Sequence, residues 1–412
     1  MNVNEIISIT IVLAAVFAYI NHRLIKWPPT IGIMVLSLLS SIVLVALGQS
    51  FGLVSDTAVQ IVASIDFRDV LMNFMLSFLL FAGAIHLDVR KLQKERWPVL
   101  ILSTLGILIS TALVGGMVWY LFGLFSIDMP FIYCLLFGAL ISPTDPIAVL
   151  AILKEAKIPS SLEIKISGES LFNDGVAVVV FVTLAEAARV GTADITILSV
   201  TRLFVQEAVG GVLFGTGLGL LGYYALRSID DYKVEVLVTI AIVMGGYLLA
   251  GYLHVSGPLA MVVAGLITGS KVKDEAMSDI SRDYLGKFWE LIDEILNAIL
   301  FLLMGFEMLV IKMNPVIVAI GLISIVVVLF ARWVSVLIPI WLMKYRIQFE
   351  KHAVAILTWG GLRGGLSVAL ALSLSPGQHR DEFVLITYII VVFSILVQGL
   401  TIGSVAKRLQ KV

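Results

Sequence analysis

"FIYCLLFGALISPTDPIAVLAIL", residues 131–153, is apolar and long enough to cross a bilayer, yet two prolines bracket a Thr-Asp pair at its centre. Pro146 offers no backbone donor and disfavours helix at Asp145, so the helix should break there. Near the other end of the chain "TWGGLRGGLSVAL", residues 358–370, repeats the device, with glycines on both sides of Arg363. Broken helices in corresponding places of two halves point to a transporter with its site near the membrane midplane. Half-helix ends carry partial charges. Asp145 is expected to compensate the positive N-terminal ends and Arg363 the negative C-terminal ones. Kinks made for packing alone would account for the breaks but not for the two charges.

The rest of the chain fits that setting. Of 412 residues 59% are apolar and only 14% charged, against roughly 45–50% and 25% in soluble domains. The apolar residues fall in runs that imply an all-α integral membrane protein of about 13 transmembrane helices. These lie near 5–21, 31–48, 70–87, 98–122, 131–153, 163–188, 203–226, 235–253, 256–270, 289–311, 316–343, 352–374 and 383–406. The first lacks a positive leader and is read as a retained span, not a signal peptide. Cys134 is the single cysteine, so no internal disulfide can form.

Basic residues orient the chain. Only Arg68, Arg189, Arg202, Lys312 and Arg380 fall in loops after even-numbered spans, whereas the loops after odd-numbered spans hold twenty-one Lys and Arg, with Lys154, Lys157 and Lys165 assigned to the loop after span five. The positive-inside rule then puts the N-terminus outside and the C-terminus in the cytoplasm. Arg332 and Arg363 are left over, within spans eleven and twelve. The charged stretch 271–288 reads as a surface connector between two bundles, with a regulatory or lipid-binding helix as the sharper alternative.

Span six holds "GESLFNDG", residues 168–175. Glu169 and Asn173 are i,i+4 neighbours, as are Ser170 and Asp174, and the two pairs form one polar stripe. Asp174 should face the unwound part of span five. There the Thr144 and Ser170 hydroxyls, the Asn173 amide, the Asp174 carboxylate and exposed carbonyls would gather oxygens of the kind hard cations prefer, and Asp145 is counted among the ion-binding residues as well. A second free carboxylate one turn away would disturb a one-proton site. Glu169 is therefore paired with Arg332 as a structural salt bridge, unless Arg332 reaches a lipid headgroup. Glu307 sits near the outer end of span ten. Glu290, Asp293 and Glu294 open that span, where acidic residues suit a helix N-terminus. The glycines of 210–222 read as a packing face. His86 and His254 sit at span ends and are poor proton shuttles.

"SPTDP", "GESLFNDG", "FAR" and "GGLRGG", in that order, resemble the monovalent cation:proton antiporter family, in its bacterial sodium/proton antiporter and mammalian sodium/hydrogen exchanger branch. The resemblance covers the whole membrane chain. It implies inverted repeats and a homodimer whose core bundle moves against a dimerisation bundle. Residues 1–97 and 233–311 (with 271–288) would form the dimerisation bundle, 98–190 and 312–412 the core, and 191–232 a linking span. It also implies that Asp174 carries the transported ion, with Ser170 and Thr144 as co-ligands and Glu169 paired with Arg332. Asn173 before Asp174 marks the electroneutral type. Ala82 stands where many relatives carry an acidic residue, and regulation through a long cytoplasmic tail, as in the mammalian exchangers, is not part of the expectation.

The expected function is exchange of Na+, with Li+ as a further candidate, for H+, one for one, by alternating access and competition at Asp174. K+/H+ exchange is the alternative, followed by a cation channel and an intramembrane aspartyl hydrolase using Asp145 and Asp174. The expectation is a transporter and not an enzyme, with no cofactor beyond the transported ions and no nucleic-acid partner. It would sit in a bacterial inner membrane.

Overall fold

The structure, a computed structural model, describes residues 3–51, 67–156, 158–190, 197–272, 277–375 and 379–410. Its helices are α1 Val3–Ile20, α2 Pro29–Phe51, α3 Phe67–His86, α4 Val89–Lys94, α5 Arg96–Leu124, α6 Phe131–Ile141, α7 Ile147–Glu155 and α8 Ser160–Val190. They continue with α9 Ile197–Arg227, α10 Tyr232–Tyr252, α11 Gly257–Ile267, α12 Asp279–Glu307, α13 Pro315–Met343, α14 Ala353–Trp359, α15 Gly365–Leu372 and α16 Arg380–Leu409. Among the described residues 9 helices are long and apolar enough to cross a membrane, and the sole β-type pairing is an isolated bridge. An all-helical chain follows from a solvent in which only internal bonds can satisfy the backbone.

Side-chain size decides which helices approach closely. A Cβ on Gly138 of α6 would strike the Thr111 backbone of α5, and one on Gly115 would strike Leu135. On α9, Gly211, Gly215 and Gly219 occur every fourth residue. Cβ atoms there would meet Ser256, Ala260 and Ile267 at under 3 Å, so α9 lies directly on α11 and its extension. α5 packs along α6, α8 and α13, and α13 along α16. α3 packs on α11 and α12, and α2 on α12. Phe137 stacks on Phe383 at 5.3 Å between α6 and α16.

Two features differ in extent from the sequence reading. Within the stretch 271–288, residues from Asp279 on are the start of α12, which runs unbroken to Glu307, and residues 273–276 lie outside the described residues. Its charges occupy the exposed side, as in the Asp283–Lys287 pair at 2.7 Å, while Leu285 and Trp289 are buried. One amphipathic helix accounts for both faces. Lys165 is not a loop residue. α8 begins at Ser160, so Lys165 lies in its second turn and is 1% exposed.

Candidate ion-binding site

Both sequence interruptions are breaks in the structure. α6 stops at Ile141 and α7 starts at Ile147; α14 stops at Trp359 and α15 starts at Gly365. The two unwound segments cross where the Asp145 N–H donates to the Leu362 carbonyl at 2.8 Å. Four half-helix ends thus point toward one region, and fixed charges stand at three of them. Arg363 donates through Nη1 to the carbonyls of Ser142 and Pro143, just past the end of α6. Arg332 on α13 donates through Nε and Nη2 to the Leu357 carbonyl, in the last turn of α14, at 3.3 and 3.1 Å. The Asp145 carboxylate lies against Gly364, where a Cβ would collide with it, and so sits at the N-terminal end of α15. Each charge has the sign that opposes the partial charge beside it.

α8 is laced onto the first break by its polar stripe. The Asn173 amide donates through Nδ2 to Thr144 Oγ1 at 2.8 Å and accepts through Oδ1 from the Thr144 N–H at 3.3 Å. The Ser170 hydroxyl donates to the Thr144 carbonyl. These bonds satisfy backbone groups that the break releases in an apolar surrounding. A small cavity lined by Thr144, Asp145, Glu169, Ser170 and Arg332 adjoins the cluster.

The two carboxylates of the stripe are treated differently. Glu169 is 2% exposed and is held by both Nη atoms of Arg332, with Nη2 at 2.9 Å from Oε2. Gly361 makes room for this pair, since a Cβ there would strike Arg332 Nε. Asp174 is half-buried and makes no hydrogen bond or ion pair with any described residue. Asp145 is near enough for its charge to be felt at Asp174.

Other polar groups at the site are not evident from the sequence. Ser394 and Gln398 lie in a π-helical stretch, Ser394–Gly399, within α16. Ser394 Oγ accepts from the Arg363 N–H at 3.0 Å and donates to Gln398 Oε1 at 2.7 Å, and Gln398 Nε2 donates to the Trp359 carbonyl at 3.0 Å. A polar i,i+4 pair inside an apolar run is the signal that could have found them. Lys165, four residues before Glu169 on α8, is a buried charge outside the cluster. Its Nζ donates to both carboxylate oxygens of Glu350 at 2.9 Å and lies 3.3 Å from Glu95, while Ser161 also donates to Glu350. Burial pushes the Glu350 carboxyl up, but the Ser161 and Lys165 hydrogen bonds outweigh it and hold the group below its usual range.

Comparison with known proteins bears on the family and the fold. Residues 11–408 match the transmembrane family described as sodium/hydrogen exchanger. The Na(+)/H(+) antiporter NhaP of Pseudomonas aeruginosa is 48% identical over 410 residues, which is 98% of this chain and 96% of that protein. The Na(+)/H(+) antiporter NhaH of Halobacillus dabanensis is 34% identical over 382 residues, 90% and 91% of the two chains. Among solved structures, the sodium proton antiporter MjNhaP1 of Methanocaldococcus jannaschii superposes with a TM-score of 0.78 over 99% of both chains, at 18% identity, which speaks for the fold. With a family match across nearly its whole length and relatives this similar end to end, the chain belongs to the sodium/hydrogen exchanger family.

Proposed function

We propose that this protein exchanges Na+ for H+ across a membrane, with Asp174 as the group for which the two ions compete. One observation carries the reading. Asp174 is a half-buried carboxylate beside two crossing helix breaks, and among the described residues it is the acid of the α8 stripe without a built-in partner. The names of the most similar relatives support Na+ as the cation.

In this reading either ion neutralises Asp174, and the neutral site crosses the apolar interior while the empty, charged one moves poorly. Thr144 and Ser170 offer oxygens when their mutual bond gives way. Asn173 holds the break to α8 and contributes its oxygen second. Arg363, Arg332 and Asp145 are fixed compensating charges for the half-helices, so their charge is not available to the transported ion. One carboxylate titrating per cycle gives one Na+ for one H+.

Thirteen crossings fit this chain: the 9 long apolar helices together with the broken pairs α6–α7 and α14–α15, then α11 and α12. The division into 1–97 with 233–311, 98–190 with 312–412, and a linking 191–232, is supported by the packing of α5, α6, α8 and α13 on one another and of α2, α3, α11 and α12 on one another. Inverted repeats, a homodimer, an outside N-terminus and a bacterial inner membrane belong to the same proposal.

The test is purified protein in proteoliposomes with an imposed pH gradient. Added NaCl should collapse the gradient with saturation, and an imposed membrane potential should not alter the rate. A response to KCl in place of NaCl would move the reading to K+/H+ exchange. Cation flux without proton countermovement would replace it with a channel.

A further inference from the structure

α12 carries polar side chains that the proposed site does not use. Asp293 and Asn297 stand one turn apart, and Leu300 continues the same stripe. Leu300 fills the space that a Cβ on Gly365 would need, so this stripe faces the start of α15 at the second break. Asp293 therefore looks toward the core.

A helix end does not account for this acid. α12 begins at Asp279, so Asp293 lies about four turns inside it, beyond the reach of the terminal partial charge. No Lys, Arg or His among the described residues pairs with it. Its carboxylate accepts one bond, from Asn297 Nδ2 at 3.1 Å. Asn297 is 2% exposed, its Nδ2 also donates to the Asp293 carbonyl at 2.8 Å, and its Oδ1 has no partner among the described residues. A buried amide oxygen without a donor is uncommon in folded proteins and calls for an occupant. The charge of Asp145 reaches Asp293 as it reaches Asp174. Asp145, Asp174 and Asp293 are all half-buried, so each keeps some accessible surface although none lies on the outer surface of a loop.

We propose that the Asp293 carboxylate and the Asn297 amide oxygen form a second, transient station for monovalent alkali cations, occupied on the way between the cytoplasm and Asp174. This rests on the exchange reading above and on its topology, which puts the α12 N-terminus on the cytoplasmic side. Both ligands are hard oxygens, as a hydrated alkali cation requires. Two protein ligands leave most of the hydration shell in place, so the station holds its ion weakly and releases it quickly. Among the described residues no three His, Cys, Asp or Glu side chains converge to hold a metal ion, which separates this station from a chelating divalent site. A carboxylate placed along the approach raises the local cation concentration, and ionic strength weakens the effect.

Everted membrane vesicles, which present the cytoplasmic face, and proteoliposomes of the opposite orientation test the station. Asp293→Asn keeps the shape and removes the charge. The apparent KM for Na+ added at the cytoplasmic face should rise about three- to tenfold, with the maximal rate within about twofold of the parent. The KM from the other face should be unchanged. Choline chloride should raise the parent's cytoplasmic KM and leave the variant's nearly flat, and Asp293→Glu should retain most of the parental behaviour. An unchanged cytoplasmic KM, or an equal shift at both faces, overturns the station. Should Asp293→Asn fail to fold, Asn297→Ala carries the same test, with a smaller shift in the same direction. If the parent protein itself shows no Na+-driven proton flux, the exchange reading fails and not the station alone.

Discussion

Glu169 and Asp174 sit on one helix, little more than a turn apart, with opposite surroundings. Around Glu169 the protein supplies a bidentate arginine, seated over a glycine that leaves room for it. Around Asp174 the described residues supply no counter-charge, only the like charge of Asp145 within reach. Two acids of similar intrinsic strength thus acquire different tasks. The clamped one holds α8 to α13, and the bare one is left to whatever cation arrives. On the proposed mechanism this bare carboxylate is the carrier, because among the described residues nothing beside it neutralises it permanently.

The sharpest attack on that contrast is Asp174→Asn, which should lower Na+-driven proton flux by at least about 100-fold in vesicles while the protein still elutes as a folded species. Flux within a few-fold of the parent would mean that the bare acid is not the carrier. Next in size is Arg332→Ala, which strands Glu169 and should cost about 3–5 kcal/mol of stability, read as a fall in melting temperature. Glu169→Gln combined with Arg332→Gln should recover part of the loss, and no recovery would show that the two side chains do not act as a pair. Thr144→Val removes an acceptor from Asn173 and should cost about 1–3 kcal/mol with reduced flux. A stable variant of full activity would show that the lacing of α8 to the break is dispensable.

The smallest effect concerns Glu350. Its carboxyl is held below the ordinary value of 4.5 in the folded protein. Its contribution is therefore present above that value and lost as pH falls through the folded one. Glu350→Gln should lower the melting temperature at neutral pH, and the gap from the parent should close in acid below about pH 4.5. A gap that persists there would assign the effect to packing around Ser161 and Lys165.

The breaks are legible in the sequence because proline, glycine and a lone charge each cost stability inside an apolar run, and three such costs at one place mark a site. Thr144, Asp145, Ser170 and Asp174 can be placed together on similar grounds, since i,i+4 spacing fixes which side chains share a face. Lys165 and Glu350 cannot. Their pairing joins a helix to a loop 185 residues away, and a lysine near a span end looks like any other loop cation. Asp293 is visible but its setting is not, because hydropathy starts α12 at the first apolar residue and not after Ser278, whose hydroxyl caps the helix. A polar helix end that is amphipathic leaves little trace in a hydropathy reading. Ser394 and Gln398 leave only the trace of a polar i,i+4 pair in an apolar run, and that spacing does not reveal the π-helical stretch in which they lie.

The hydrogen bonds by which Arg363 satisfies the open end of α6 also set a timetable for biosynthesis. The guanidinium reaches a carbonyl 220 residues earlier in the chain. At about 5–20 residues per second, a ribosome needs roughly 10–40 s to supply it. Until then the Ser142 and Pro143 carbonyls lack the donor that the folded chain gives them. This end of α6 therefore gains its folded partner only after the second half of the chain has been translated.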